Sequence, residues 1–235
     1  MFRGFFYFRT MKKLLLIFAL ASGLAASAQE QFGRELFIYD IGTPLLQGAD
    51  PISQDGRFSW SHFFTAYRDV AIGQSNNSVA IGLGMGWTQV NSNLNGSVNP
   101  PNTEGAGETV WRLLDDGEDP TRNRTAFRRV YVPIEFRYRG KPNPNGGYFK
   151  VHAGVRVGWN YSTINYYKEG TYSVKTFGLS GTNAFHADAV LRIGFGEGAF
   201  SFTYSLADLF DGAQLADGTE LSGQALTIGF SLIAF

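Results

Sequence analysis

Two neighbouring stretches, FRRVYVPIEFRYR at 127–139 and YFKVHAGVRVGWNY at 148–161, decide how the rest of the chain is read. In the first, Val130, Val132, Ile134, Phe136 and Tyr138 share one face, and Arg129, Tyr131, Pro133, Glu135, Arg137 and Arg139 share the other. In the second, Phe149, Val151, Ala153, Val155, Val157, Trp159 and Tyr161 alternate with Lys150, His152, Gly154, Arg156, Gly158 and Asn160. A period of two is the mark of a β-strand whose faces meet different surroundings. Working outward, 184–195 sets Phe185, Leu191, Ile193 and Phe195 against His186, Asp188 and Arg192, and 199–206 sets Phe200, Phe202, Tyr204 and Leu206 against small residues. Towards the N-terminus, Val79, Ile81, Leu83, Met85 and Trp87 alternate with Ala80, Gly82, Gly84 and Gly86. The aromatic-rich segments 34–44 and 57–69 alternate less regularly, and 224–235 places Leu226, Ile228, Phe230 and Leu232 together.

The connections between these eight segments run alternately long and short: 45–56, 70–77, 91–126, 141–147, 163–182, 196–198 and 207–222. Pro142-Asn143-Pro144-Asn145-Gly146-Gly147 is strong turn chemistry, because Pro fixes φ and Asn-Gly accepts positive φ. Outer-membrane barrels have short periplasmic turns, longer external loops and both termini inside. The rhythm therefore predicts an all-β fold, an eight-stranded antiparallel up-and-down transmembrane β-barrel, with 91–126 as its largest external loop. Pro133 removes a ladder hydrogen bond, so a local bulge is expected there. On the last strand the apolar face is even-numbered while Phe235 is odd, which asks for a bulge near Ile233 if the terminal aromatic is to share that face.

Alternation alone does not say which face meets lipid, since a soluble lipocalin-like barrel turns its apolar face inward around a ligand. Composition separates the two. Charged residues are 17% of the chain against roughly 25% in soluble domains. The polar face is mainly Gly, Ser, Thr and Ala with arginines, which suits a crowded lumen; a soluble exterior would be dense in Lys and Glu. The apolar face carries Trp87, Tyr138, Trp159, Tyr161 and Phe195 toward strand ends, the arrangement of an interfacial aromatic girdle. Outer-membrane lipids are the expected surroundings.

The N-terminus points to export. Met11-Lys12-Lys13, the apolar run 14–26 and Ala26-Ser27-Ala28 form a secretory signal peptide over 1–28, with Met11 the better initiator; a buried N-terminal helix is the bland alternative. Residues 29–235 then form a single barrel domain in the outer membrane. No other run approaches the roughly 20 apolar residues of a spanning helix, so crossing a membrane requires a barrel. The 235 residues include no cysteine, which excludes disulfides and thiol chemistry, and the formal net charge is zero, so no nucleic-acid partner is expected.

From residue 33 onward the chain resembles the PorT-like family of outer-membrane β-barrel proteins. The likeness is carried by Asn77-Ser78-Val79-Ala80-Ile81-Gly82-Leu83-Gly84, by Val130-Tyr131-Val132-Pro133-Ile134-Glu135-Phe136-Arg137-Tyr138, by Phe149-Lys150-Val151-His152-Ala153-Gly154, and by Gly229-Phe230. It implies the fold and no catalytic residue. The terminal Phe235 resembles the signal that outer-membrane barrels offer to the barrel assembly machinery, which is thus an expected partner; a further envelope protein partner stays unidentified.

The inward face gathers Arg129, Glu135, Arg137, Lys150, His152, Arg156, His186, Asp188 and Arg192. Eight strands leave an interior just wide enough for side chains, so these charges are expected to form a salt-bridged plug in preference to a channel or anion site. Asp115-Asp116-Gly117-Glu118-Asp119 has no EF-hand spacing and reads as a solvated loop tip, with Arg122, Arg124, Arg128 and Arg129 expected to pair with it or to touch outer-leaflet phosphates. No metal, cofactor or catalytic residue is expected. The alternatives are a soluble lipocalin-like ligand-binding barrel, an outer-membrane lipid hydrolase using His152 and His186, and a diffusion pore.

Overall fold

The computed structural model describes residues 35–73 and 75–234; the expected signal segment 1–28 and Phe235 lie outside the described residues. Eleven strands follow in chain order: β1 (Phe37–Gln47), β2 (Trp60–Ala71), β3 (Asn77–Asn91), β4 (Leu94–Val98), β5 (Thr109–Leu113), β6 (Arg122–Arg139), β7 (Phe149–Glu169), β8 (Tyr172–Phe177), β9 (Phe185–Phe195), β10 (Gly198–Ser205) and β11 (Gln224–Ala234). Eight of them, in the order β1-β2-β3-β6-β7-β9-β10-β11, form one antiparallel sheet. Pairing of β11 with β1, from Phe37 opposite Ala234 to Gln47 opposite Gln224, closes the sheet into a barrel. Closure leaves no unpaired barrel edge. The short turns, 72–76, 140–148 and 196–197, lie at one end with Phe37 and Ala234, and the long connections lie at the other.

Burial follows the alternation. Along β6 every odd residue from Asn123 to Arg139 is buried, and Val130, Val132, Ile134, Phe136 and Tyr138 are exposed. The same holds for β10, where Phe200, Phe202 and Tyr204 face outward. The barrel is thus apolar outside and polar inside, the reverse of a water-soluble domain.

Small residues set where the lumen can be filled. Gly84 on β3, Tyr131 on β6 and Gly158 on β7 stand in one cross-strand row. The Tyr131 ring lies over Gly84, and a Cβ on Gly158 would meet the Cα and Cβ of Tyr131 at 2.7 Å. One large inward side chain is accommodated because its two neighbours have none.

Four expectations about local geometry are corrected. The stretch 91–126 is no open loop: it holds the top of β3, the β4–β5 hairpin and the first residues of β6. Likewise 163–182 contains the upper part of β7 and β8, which pairs with it from Ile164–Phe177 to Glu169–Tyr172. No bulge marks Pro133. Bridges between β3 and β6 lapse beside it and resume at Gly84–Tyr131 in unchanged register, so the missing N–H drops a local bond without displacing the strand. The bulge falls instead between Arg128 and Arg129, which pair with Ser162 and Asn160 and leave Tyr161 as the extra residue of β7. Beyond it the parity of β7 flips: Thr163, Asn165 and Tyr167 point inward. On β11 the register is continuous to Ala234 and Ile233 is buried inward, so no bulge realigns the strand there.

Candidate functional site: a charged lumen beneath an apolar cap

Arg129, Glu135 and Arg137 come from β6, Lys150, His152 and Arg156 from β7, and His186, Asp188 and Arg192 from β9. All nine are buried, and they line one wall made of three adjacent strands. Five are Arg or Lys and only two are acids. The balancing carboxylates come from the opposite wall: Glu35 just before β1, Asp40 on β1 and Asp69 on β2. These three were not singled out from the sequence. The signal that pointed to them was the excess of positive charge itself, because buried cations need partners.

The network is built in tiers. At the turn end, the Glu35 carboxylate accepts from Arg139 Nη2 at 2.7 Å, Lys150 Nζ at 2.5 Å and the Tyr148 hydroxyl at 3.0 Å. His152 Nε2 lies 3.2 Å from the same carboxylate, while Asp69 takes Arg137 Nη1 at 3.1 Å and also Arg139. At mid-barrel, Arg192 spans the lumen: its Nε and Nη2 donate to Asp40 at 2.8 and 2.7 Å, and its Nη1 donates to Glu135 at 2.7 Å. Asp40 also accepts from Arg156 and from Ser231 Oγ at 2.5 Å, and Glu135 from Tyr67 and from Arg137 Nη2 at 3.1 Å. Above this tier, Arg129 Nη1 stands 3.4 Å from Asp188, whose other oxygen accepts from Ser205 at 3.2 Å. Arg156 lies over the Phe63 and Tyr131 rings at 4.6 and 5.2 Å.

Chemically, this lattice holds charge of both signs in fixed pairs. His152 and His186 do not form one centre: His152 pairs with Arg192, six positions along β9 from His186, which pairs with Gly158. Among the described residues, no serine or threonine hydroxyl bonds to either imidazole, and Ser205 is engaged by Asp188. His62 faces outward, bonded to Tyr39 and edge-on to Trp60 at 4.1 Å. No group of three or more His, Cys, Asp or Glu is placed to hold a metal among the described residues.

The five aromatics expected in a girdle all point outward: Trp87, Trp159 and Tyr161 toward the loop end, Tyr138 and Phe195 toward the turn end.

The loops meet over the lumen. Ala49 and Ile52, Leu94 and Trp111, Leu179, and Leu209, Phe210, Ala213 and Leu221 come from all four long connections and pack with Phe127 into one apolar core. Trp111 donates from its indole to the Ser180 carbonyl at 3.1 Å, tying the β4–β5 hairpin to the connection after β8. Below the cap, Asn95 reaches both Asn123 and Asn165 at 3.2 Å. No family model, no curated protein and no solved structure matches the chain.

The acidic stretch 115–119 is partnered differently from the sequence reading. Glu118 takes Arg112 in a two-pronged pair at 2.6 and 2.8 Å, and Asp119 takes Arg57 at 3.1 Å, in place of the arginines that follow in sequence. The Arg112 hydrogen bonds pull the Glu118 carboxyl from its ordinary 4.5 down to about 2. A folded value below the unfolded one means the pair contributes fully above pH 4.5 and is lost as pH falls toward 2. Carbon-detected titration of Glu118 is therefore expected to show a midpoint near 2, with protection of the Trp111 amide falling over the same range. A midpoint at the ordinary carboxylate value would refute the pairing.

Proposed function

We propose that this is a small, non-enzymatic barrel of the bacterial outer membrane, exported by its N-terminal segment, with a structural plug as lumen and its working surfaces outside. The observation that carries the reading is the outer wall. Large apolar side chains on every barrel strand, from Phe37 and Ile41 to Phe230 and Leu232, are exposed, while Arg129, Arg137, Arg139, Arg156 and Arg192 are buried. A soluble monomer seldom exposes contiguous apolar surface beyond a few hundred Å². Height supports it too. From Phe149 to Trp159 on β7 is ten residue steps, about 34 Å along a strand and about 26 Å vertically at a ~40° tilt, matching a lipid-facing band about 25 Å tall.

A lipocalin-like barrel needs an apolar interior for its ligand, and this interior is filled by guanidinium and carboxylate groups. The PorT-like motifs all fall on barrel strands: the start of β3, the second half of β6, the start of β7 and the middle of β11. They support a place beside that family. Outer-membrane lipids and the barrel assembly machinery are the proposed partners, with an envelope protein at the loop surface still to be identified.

The test is envelope fractionation with unboiled gel electrophoresis. The protein is expected in the outer-membrane fraction, with a compact band that shifts when boiled. Recovery as a freely soluble monomer without detergent would sink the reading.

A further inference from the structure

Two hollows adjoin on the outer wall at the loop end and share Met85. The upper, of about 390 Å³, is bounded by Trp60, Trp87, Arg124, Arg128, Tyr161 and Lys175. The lower, of about 610 Å³, runs between Phe64, Leu83, Val130, Val157, Trp159 and Phe185, all apolar. Their origin lies in the sheet. Trp60, Gln89, Ala126, Ile164 and Phe177 stand in one cross-strand row, and the small Ala126 at its centre leaves the depression. The Tyr161 bulge flips the parity of β7 and so brings Ile164 and Tyr166 to this face.

The upper hollow gathers positive charge without a counter-charge. Arg124, Tyr166 and Lys175 form a second row across β6, β7 and β8. The Arg124 guanidinium and the Lys175 ammonium lie 5.0 and 5.6 Å from the centre of the same Tyr166 ring. Arg128 joins from one turn of the pleat below, opposite Trp87. Among the described residues, none of these three cations has a carboxylate within 4.0 Å, whereas the loop arginines Arg57 and Arg112 both do. Gln89 lines the floor at 6% exposure, and its amide makes no hydrogen bond to another described residue. Three cations without a carboxylate partner around one cavity call for an anion with acceptor oxygens.

We propose that the double hollow binds a phosphate-bearing lipid of the outer leaflet, with its headgroup phosphate among Arg124, Arg128 and Lys175 and its acyl chains along the lower furrow. The proposal rests on the membrane reading above. A free phosphate would fill only the upper hollow and leave the apolar furrow unused; a lipid fills both. The aromatic rims at Trp60, Trp87 and Tyr161 stand where headgroup gives way to chain, the level such side chains prefer.

The test is native mass spectrometry of the full chain released from detergent micelles, with three probes: lipid A carrying two phosphates, lipid A stripped of both, and inorganic phosphate. The wild-type protein is expected to retain the phosphorylated lipid selectively. Arg124→Gln, Arg128→Gln and Lys175→Gln should each weaken retention by about fivefold, the usual contribution of one cation at a membrane surface. Ala126→Leu fills the hollow with the charges in place and is expected to weaken retention as well, while Lys141→Gln at the turn end changes nothing. Equal retention of the stripped lipid, or full retention by the triple variant with its heat-shifted band intact, overturns the site and leaves the membrane reading standing. Displacement of the lipid by millimolar inorganic phosphate overturns the lipid in favour of a free-phosphate site. A protein that never acquires a heat-shifted band in micelles overturns both readings together.

Discussion

Arg192→Met is expected to lower the unfolding free energy of the barrel by about 3–5 kcal/mol, the range for removing one member of a buried ion pair. The size follows from what Arg192 touches. It is fully buried and, among the described residues, is the single guanidinium bonded to both Asp40 and Glu135, on β1 and β6. Methionine keeps much of the volume but leaves two buried carboxylates short of a donor. The loss is in unpaired acid, so a second change is informative. Glu135→Gln added to Arg192→Met removes one of the under-partnered charges while Arg137 keeps Asp69, and should recover part of the stability. Arg129→Met provides the scale, because its single carboxylate contact is longer, at 3.4 Å, and it should cost less. Denaturant unfolding in vesicles, followed by tryptophan fluorescence, measures all three. A loss below about 1 kcal/mol for Arg192→Met would place it among surface pairs and contradict a plugged lumen.

The other large effect is steric. Gly158→Val should cost about 3 kcal/mol or more, at the top of the range for overpacking, and is expected to leave little heat-resistant protein. The obstruction is main chain: the added Cβ meets the Val130 carbonyl and the Tyr131 Cα, and no rotamer moves these. For Gly84→Val the nearest atoms to the added Cβ all belong to the Tyr131 side chain, which can swing at the expense of its 2.7 Å hydrogen bond to Thr65, so it should be the milder lesion. Gel-shift yield after refolding ranks the two. Comparable yields for Gly158→Val and wild type would mean that β6 and β7 approach less closely than described.

The barrel was legible in sequence where one chemical contrast, apolar against charged, repeats every second residue. β6, β7 and β9 have that contrast, and their inward charges were assigned from parity alone. It weakens on β1 and β2. There Ile38, Phe63 and Tyr67 point inward beside Asp40, so apolar and acidic residues share a face and the three balancing carboxylates were hidden. It breaks on β7 at Tyr161, because an extra residue reverses every later side chain; from 162 onward an extended strand looks like loop. The β4–β5 hairpin, LNGSV against TVWRL, has too little apolar periodicity to announce itself, and its Trp111 is buried by residues far along the chain. Loop packing of that kind is set by tertiary contact, which a local pattern does not encode.

The cap over the lumen has a consequence for how this surface can change. Loops at the mouth of a barrel can vary independently when each is solvated on its own. Here the four share one core through Ile52, Trp111, Leu179 and Phe210, so a length change in one is felt by the other three. Variation of the buried positions must be concerted. The exposed tip of the hairpin, 101–108, stands apart from that core and is where a foreign epitope can be spliced without disturbing its neighbours.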